Sequence, residues 1–370
     1  MSELNSITRK FAIPTGYLFI GAYSNGDLET LSIGDYGKKY NVKADFLGFT
    51  DEIHGVPNTT CMPLSEKWVI TISTQYGCPM KCHFCDVPKV PWRGNATFDD
   101  LKAQFYNAIS LFEGCMYTER LNLHFARMGE PILNENVLGF ARWLFASKRE
   151  IERDKGLRIE VIHPVLTTSL PGNFKHLESR ILEWCSIKND LYNGQAGLQF
   201  SINSTSDEQR SKTYAGMQIK LEDLARIADK MPDPISRKYC LNFAYATGNE
   251  VDGMKLARLF DPAKFMCKIT PIHNNNASRA NGIETVGGYD SFLPYVEPES
   301  NLIAAGFDVL VFVPSLDEED GLVTCGNVVL GGSTLKTDES IIKIQGVNPK
   351  FSSLKQARMA NMPKLEQVSK

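Results

Sequence analysis

From residue 68 onward the sequence alternates between β-prone runs and helical segments, and this alternation constrains the fold more than any other feature. Seven β-prone runs are spaced along the chain, at residues 68–74, 121–125, 159–166, 197–202, 240–245, 266–272 and 308–313. Six strand-then-helix units in succession predict parallel strands joined by right-handed crossovers. Because a closed barrel of this kind needs eight units, we expect an open, partial (β/α)6 barrel of the α/β class.

The same pattern divides the chain into three predicted parts. Residues 1–66 contain short β-prone runs interrupted by Gly, Asn, Asp and Pro, which is typical of β-hairpins, so we predict a small β-rich extension. Residues 67–332 form the predicted barrel. Residues 333–370 are a tail in which Lys and Arg outnumber Asp and Glu, so it either contacts a polyanion or is a solvated tail.

Composition excludes several classes of protein. A hydrophobic content of 43% and a charged content of 22% exclude a disordered or fibrous chain. The net charge of -3 excludes a strongly basic nucleic-acid coat, although not a local basic groove. No run approaches the roughly 20 apolar residues of a membrane span, and residues 1–10 are too polar for a signal peptide. We therefore expect a cytoplasmic protein, without a membrane partner, whose nine cysteines are reduced thiols.

Three of these cysteines form a C-x3-C-x2-C run directly after the first barrel strand: Cys78, Cys82 and Cys85. Three thiolates on one loop can hold a single metal centre, and soft sulfur ligands select zinc or iron–sulfur. A structural zinc site needs a fourth ligand, and His83 is available for that role. A [4Fe–4S] cluster held by three cysteines instead leaves one iron open to another ligand. The position at the carboxyl end of a parallel strand is where such folds carry their chemistry.

This motif in this position resembles the radical S-adenosylmethionine (SAM) superfamily. The resemblance implies a [4Fe–4S] cluster whose open iron binds the amino and carboxylate groups of SAM, and reductive cleavage of SAM to a 5′-deoxyadenosyl radical. Met-Gly-Glu-Pro after the second strand is similar to the family's GEP segment, and further matches follow the later strands. The implied SAM-contacting residues are Gly129 and Glu130, Ser169, Ser201 and Asn203, and either His273 or Asn274.

Within the superfamily, the sequence from about residue 52 to 327 is most similar to the RlmN/Cfr type, which methylates C2 or C8 of an adenine in RNA. The resemblance implies that Cys325 is methylated by one SAM and delivers its carbon to the base, and that Glu52 is the general base. It also implies a nucleobase-containing substrate (RNA, DNA or a free nucleotide) and an electron donor such as flavodoxin or ferredoxin. We expect a monomer.

Two departures from the family pattern keep an alternative open. Thr71 stands seven residues before Cys78, where the family has a second catalytic cysteine that resolves the covalent adduct. Either Cys61 reaches the site, or the product leaves by another route, or the protein is a non-methylating radical SAM isomerase or modifying enzyme acting on a nucleotide or small molecule. In addition, residues 1–50 have a hairpin pattern in place of the helical RNA-binding domain of RNA-methylating members.

A local basic groove is the second open question. The pI near 6.1 leaves little general affinity for phosphate backbones. A groove could still be lined by five cations near the cysteine motif, with Trp92 as a stacking platform for a base. These cations are Lys81, Lys89, Arg93, Arg127 and Arg279. The alternatives are such a groove or a set of solvated charges. A metal-binding protein without turnover is a third class of function that the cysteine motif allows.

Overall fold

The computed structural model describes residues 7–36, 41–49, 61–112, 114–287, 291–314, 316–324 and 326–335. Its strands are β1 (Ile7–Ile13), β2 (Gly16–Tyr23), β3 (Gly26–Tyr36), β4 (Val42–Lys43), β5 (Cys61–Met62), β6 (Lys67–Ile72), β7 (Gln75–Tyr76), β8 (Gly94–Asn95), β9 (Tyr117–Phe125), β10 (Arg158–Thr168), β11 (Gly197–Ser201), β12 (Tyr239–Tyr245), β13 (Phe265–Pro271) and β14 (Asp308–Phe312). Its α-helices are α1 (Phe98–Ser110), α2 (Glu135–Ala146), α3 (Lys148–Lys155), α4 (Leu177–Ser186), α5 (Asp207–Thr213), α6 (Leu221–Ala228), α7 (Gly253–Leu259), α8 (Asn276–Ala280), α9 (Val296–Ala304) and α10 (Leu316–Asp320).

Twelve of the strands form one large sheet whose centre is parallel, and β7 and β8 form a separate two-stranded sheet. Its strand order is β1-β2-β3-β6-β9-β10-β11-β12-β13-β14-β4. From β6 to β14 neighbouring strands in this order are parallel, whereas β3 adds to β6 and β4 adds to β14 in antiparallel fashion. Among the described residues no pairing joins β14 to β6, so the sheet is open. The predicted partial α/β barrel with an N-terminal hairpin extension is confirmed.

The two faces of the parallel strands differ in exposure. In β6, Trp68, Ile70 and Ile72 are fully buried against the helical layer, whereas the alternate residues Lys67, Val69 and Thr71 are half-buried. The strands β9 and β13 alternate in the same way, because successive side chains of a strand point to opposite faces. We call the space bounded by the half-buried face the lumen. Its strand walls contain many polar side chains.

The helical layer forms where the sequence supplies caps and an apolar stripe. The helix α1 begins with a capping box in which Thr97 and Asp100 exchange hydrogen bonds. It buries Leu101 and Phe105 against the convex face of the sheet, and Phe105 also meets Phe140 of α2 in an edge-to-face contact with ring centroids 6.1 Å apart. This packing fixes β6 and β9, the strands that precede the cysteine motif and the Met-Gly-Glu-Pro segment.

In the described part of the chain, no helix is both long and apolar enough to cross a membrane. The hairpins β1–β3 belong to the same sheet as the barrel strands, and their half of the sheet packs on residues 322–324 and 326–335 through Leu31, Ile33 and Leu322. The division of the chain at residues 66 and 332 stays a prediction, and residues 336–370 of the predicted tail lie outside the described residues.

Candidate functional site

The cysteine motif lies on the loop that follows β6. Gly77 begins the loop with a φ of +73°, and a Cβ there would lie 2.6 Å from the carbonyl oxygen of Val90. Only glycine allows the loop to pass this close to its own return segment. The side chains of Cys78, Cys82 and Cys85 are half-buried. They are therefore accessible to a ligand from outside the fold.

A small apolar cluster packs against this loop. Val87, Met128 and Val328 form its buried centre, and Cys78 and Cys85 pack against it. Met128 belongs to the Met-Gly-Glu-Pro segment, which follows β9. The cluster therefore joins the cysteine loop to the loop of the neighbouring strand.

The cysteine loop provides the right donor chemistry for an iron–sulfur centre. Among the described residues, no three side chains of His, Cys, Asp or Glu are grouped closely enough to hold a metal ion, and His83 does not complete such a group with the cysteines. The donor set nevertheless fits an iron–sulfur cluster, because three partly exposed cysteine side chains share one short loop that packs on apolar side chains. Thiolates select such clusters, and an apolar surround controls their solvent access.

Asn275 ties the cysteine loop to the last described segment of the chain. Its side-chain amide donates to the carbonyl of Phe84 at 2.8 Å and to that of Gly326 at 3.3 Å, while its Oδ1 caps α8 by accepting from the backbone N–H of Ser278. The N–H of Asp86 also donates to the Gly326 carbonyl, at 2.9 Å. We did not identify Asn275 from the sequence. Its only signal was the helix-capping pattern Asn-x-x-Ser.

Glu130 and Ser169, two of the predicted residues, are in direct contact. The Oε2 of Glu130 accepts hydrogen bonds from the backbone N–H of Ser169 at 2.8 Å and from its hydroxyl at 2.5 Å. Glu130 is 3% exposed, and this burial raises the pKa of its carboxyl group although the hydrogen bonds from Ser169 oppose the shift. A buried carboxylate in this state is well suited to a cationic ligand.

Gly129 sets the position of this carboxylate. Its φ is +97°, and a Cβ there would lie 2.5 Å from the Cβ of Gln75. The Gln75 side chain in turn accepts from the backbone N–H of Glu130 at 2.8 Å. Gly129 therefore lets the Met-Gly-Glu-Pro loop pack directly on the segment that leads into the cysteine motif.

Ser201 and Asn203 lie at the carboxyl end of β11. The carbonyl of Ser201 accepts from the side-chain amide of Gln218 at 2.7 Å and from the hydroxyl of Tyr214 at 3.1 Å. Asn203 has a φ of +61°, is 1% exposed, and accepts from the N–H of Ala244 at 2.9 Å through Oδ1. Its buried Nδ2 has no hydrogen-bond partner among the described residues. Such an orphaned donor is available to a bound molecule.

His273 and Asn274, the two alternatives at the end of β13, both make contacts within the protein. The Nδ1 of the buried His273 meets the carboxylate of Glu319 on α10. Asn274 exchanges two hydrogen bonds with the backbone of Thr285, at 3.5 Å and 3.3 Å. These contacts do not favour either residue over the other as a ligand.

Comparison with known proteins places this site in context. No protein-family model matches the chain. A probable dual-specificity RNA methyltransferase RlmN of Chlorobium phaeobacteroides is 23% identical over 230 residues, 59% of this chain and 56% of that protein. The dual-specificity RNA methyltransferase RlmN 2 of Myxococcus xanthus is 30% identical over 156 residues, 41% of this chain and 36% of that protein. Among solved structures, a radical SAM methyltransferase from Sphaerobacter thermophilus aligns with a TM-score of 0.55 and 16% identity, over 84% of this chain and 76% of that chain.

The chain resembles the radical SAM methyltransferases of the RlmN type. The resemblance inferred from the cysteine motif is thereby confirmed. The matched segments span 56% and 36% of the length of these two curated relatives. The solved structure, at 16% identity, supports the fold.

The residues that the RlmN-type resemblance assigns to catalysis, Glu52 and Cys325, both lie outside the described residues. The structure does describe the segments on either side of position 325. Arg127 donates through Nη1 to the carbonyl of Leu322 at 2.7 Å, and the carboxylate of Glu29 accepts from the N–H of Leu330 at 3.1 Å. The segments on both sides of the predicted nucleophile are thus anchored, one to the loop after β9 and the other to the N-terminal hairpin.

The predicted role of Arg127 in a basic groove is wrong. Arg127 is 4% exposed, and its guanidinium forms an ion pair with the buried carboxylate of Glu29. The reason is tertiary: the residue after β9 meets an acidic residue of the N-terminal hairpin that is distant in sequence. The other predicted groove residues, Lys81, Lys89, Arg93, Arg279 and Trp92, are exposed.

Thr71, which occupies the position of the missing RlmN-type cysteine, lies on the lumen face of β6. It pairs in register with Leu31 of β3 on one side and with His124 of β9 on the other. The position therefore faces the same space as the site, with a hydroxyl where a thiol would be needed. The side chain of Cys61, the alternative thiol, lies outside the described part of the chain.

Proposed function

We propose that the protein is a radical SAM enzyme with a [4Fe–4S] cluster that methylates an sp2 carbon of a nucleobase, adenine in the leading version, through a methylated Cys325. The observation that carries this proposal is the contact of Glu130 with Ser169. Met128, on the same loop as Glu130, packs on Cys78 and Cys85. Segments predicted separately from three successive strand ends are joined by direct contacts. The RlmN names of the curated relatives support the same activity.

In this proposal the chain supplies ligands, orientation and charge. Cys78, Cys82 and Cys85 hold the cluster, which with bound SAM supplies a carbon radical able to abstract hydrogen. The Glu130 carboxylate holds the amino group of SAM, because a bound cation relieves the cost of keeping a buried carboxylate ionised. The orphaned Nδ2 of Asn203 provides a further donor for the same ligand.

Cys325 and Glu52 have the remaining roles in the proposal. A thiolate at position 325 attacks the methyl group of one SAM, forming a C–S bond as S-adenosylhomocysteine leaves. Glu52 removes the proton from the attacked carbon of the base. The Glu29–Arg127 pair supports this assignment, since it anchors the backbone on both sides of position 325. An electron donor such as flavodoxin or ferredoxin and a cytoplasmic location belong to the same proposal.

The test is a labelling experiment. Reconstituted protein is incubated with methyl-labelled SAM under oxygen-free conditions, digested, and analysed by mass spectrometry. We expect one labelled methyl group on the peptide that contains Cys325, and none in the Cys325→Ala variant. A control Cys115→Ala variant should label like the parent protein. An unlabelled Cys325 peptide in protein that binds SAM would rule out methyl transfer by this residue.

A non-methylating radical SAM isomerase or modifying enzyme is the second candidate. Thr71 favours it, because its hydroxyl faces the lumen at the position where RlmN-type enzymes resolve the adduct with a thiol, and a hydroxyl cannot form a disulfide. In that case 5′-deoxyadenosine accumulates with substrate while S-adenosylhomocysteine does not. Chromatography of both products from one reaction separates the two candidates.

A further inference from the structure

Asp86, the residue after Cys85, carries a fully buried carboxylate to which the proposed function assigns no role. Its Oδ2 accepts a hydrogen bond from the hydroxyl of Ser333 at 2.6 Å, and its Oδ1 forms an ion pair with Lys89. Lys89 lies three residues further along the same loop, whereas Ser333 lies 247 residues away in sequence. The carboxylate therefore joins the cysteine loop to the last described segment of the chain.

The backbone of Asp86 makes two further contacts with that segment. Its N–H donates to the carbonyl of Gly326 at 2.9 Å, and a Cβ on Gly331 would lie only 2.4 Å from its carbonyl oxygen. A Cβ on Gly326 would lie 3.5 Å from the Cα of Cys85, so this part of the segment is in van der Waals contact with the cysteine motif. We call the contacts of Asp86 with Gly326, Gly331 and Ser333 the Asp86 clamp.

The clamped segment has a local structure that presents Ser333 to the clamp. A 3-10 helix covers Val329–Gly331, and the carboxylate of Glu29 accepts from the N–H of Leu330 at 3.1 Å within it. The helix ends at Gly332, where a φ of +93° turns the chain. Hydrogen bonds to ionised carboxylates are stronger than those between neutral groups. Fully buried carboxylates thus hold the segment at both ends of this helix.

We propose that Asp86 is a positioning residue, which fixes the predicted nucleophile at position 325 relative to the cysteine loop. This inference rests on the proposed function, because it gives Asp86 a part in methyl transfer through Cys325. Position 325 is bonded directly to Gly326, so a clamp that holds Gly326 against Cys85 limits where the thiol can move. A displacement of about 1 Å can slow a reaction by about a hundredfold.

The clamp acts on the nucleophile and leaves the predicted SAM contacts alone. None of the contacts of Asp86 with described residues involves Glu130 or Ser169. Loosening the clamp should therefore lower the rate of methyl transfer at saturating SAM without changing the affinity for SAM. A residue that served only to keep the site folded would lower both quantities together.

Two substitutions loosen the clamp without changing Asp86 itself. Ser333→Ala removes one hydrogen bond, and Ser333→Thr keeps the hydroxyl. Gly331→Ala forces the segment away from the Asp86 carbonyl by steric overlap. The matched controls are Ser179→Ala, which removes an exposed hydroxyl from a backbone hydrogen bond, and Gly139→Ala, whose Cβ meets no atom within 4 Å.

Amide hydrogen exchange of the full-length protein without SAM tests the clamp independently of methyl transfer. The Asp86 amide, resolved by mass spectrometry of overlapping peptides, should exchange about tenfold faster or more in Ser333→Ala and Gly331→Ala. In Ser333→Thr and in both controls, the rate should stay within about twofold of the parent's. Unchanged exchange in Ser333→Ala and Gly331→Ala would show that the clamp does not hold the two segments together, and would overturn the proposal.

The positioning role is tested by the rate at which Cys325 acquires label from methyl-labelled SAM. In Ser333→Ala the rate at saturating SAM should fall about tenfold or more while the dissociation constant of SAM stays within about twofold, and Ser333→Thr should restore the rate. A parent-like rate, or an equal loss of rate and affinity, would overturn the role of Asp86. An unlabelled Cys325 in the parent protein counts against the proposed function, and the exchange rates then still decide whether the clamp exists.

Discussion

Arg127 and Glu29 form a buried ion pair between the loop after β9 and the N-terminal hairpin. Arg127 is 4% exposed and Glu29 is fully buried. Each partner also binds the backbone of the segment around position 325, Arg127 through the carbonyl of Leu322 and Glu29 through the N–H of Leu330. The pair therefore links the hairpins, the barrel and the predicted nucleophile segment.

Replacing Glu29 by Gln should destabilise the protein strongly. The variant leaves the Arg127 guanidinium buried without a counter-charge, which typically costs about 3–5 kcal/mol. The free energy of unfolding in urea measures the effect. The control is Glu183→Gln, which breaks an exposed pair with Arg142 and should cost less than about 1 kcal/mol. Similar costs for the two variants would contradict the structural role of the buried pair.

Replacing Gly129 by Ala should weaken SAM binding. The added Cβ would lie 2.5 Å from that of Gln75 at a φ of +97°, so the Met-Gly-Glu-Pro loop must move away from the cysteine loop. Equilibrium binding of SAM should weaken by more than about tenfold, since the Glu130 carboxylate moves with the loop. Gly248→Ala separates the effect of the close contact from that of the positive φ. Gly248 also has a positive φ, of +87°, but no atom lies within 4 Å of the added Cβ.

The SAM-free protein should lose stability as the pH rises through the raised pKa of Glu130. A carboxyl whose pKa is higher in the folded state than in the unfolded state contributes stability below its unfolded pKa, and that contribution is lost as the folded group ionises. Melting temperatures measured across that pH range should fall more steeply in the parent protein than in Glu130→Gln. With SAM bound, the melting temperature should fall less steeply in the parent protein than in Glu130→Gln, because the parent keeps the carboxylate that pairs with the ligand's amino group.

The variant Asn275→Ala should lower the iron content of protein reconstituted without oxygen. It removes two hydrogen bonds that hold the cysteine loop and the Gly326 carbonyl, and it also removes the cap of α8. The loss of stability should be about 1–3 kcal/mol. Ser206→Ala removes only the cap of α5, so it should cost about 1 kcal/mol and leave the iron content unchanged. Parent-like iron content in Asn275→Ala would show that the loop does not depend on this anchor.

Replacing Cys82 by Ala should abolish iron binding and the brown absorbance of the reconstituted protein. Three thiolates are the minimum that holds a [4Fe–4S] cluster with one open iron, and Cys82 is one of the three on this loop. Cys115→Ser is the control, since Cys115 is half-buried but lies away from the motif. Full iron content in the Cys82 variant would contradict the proposed ligand set.

The sequence was sufficient to predict the parallel strands because each one has a strong local signal. The run predicted at 68–74 corresponds to β6 at Lys67–Ile72, and it ends early because the backbone of Thr74 turns to donate to the Met128 carbonyl. The short helices α3 and α5 were not predicted. Their sequences KREIERDK and DEQRSKT are almost entirely polar and carry too little apolar periodicity to indicate a helix.

The sequence predicted only those residues of the candidate site that belong to a recognisable sequence motif. The cysteines, the Met-Gly-Glu-Pro segment and Ser169 carry such motifs, and the structure brings Glu130 and Ser169 into contact. Asn275 and the Glu29–Arg127 pair act through partners 51 to 191 residues away, and no local pattern reports a contact at that separation. The functional roles of Cys325, Glu52 and the SAM-contacting residues stay predictions.

The antiparallel strands at the two borders of the open sheet come from neighbouring stretches of chain. β3 borders β6 and ends at Tyr36, while β4 borders β14 and begins at Val42. Six residue steps span at most about 20 Å, even when fully extended. The end of β3 and the start of β4 therefore cannot lie farther apart than this length, so the tether limits how far the two borders of the open sheet can separate.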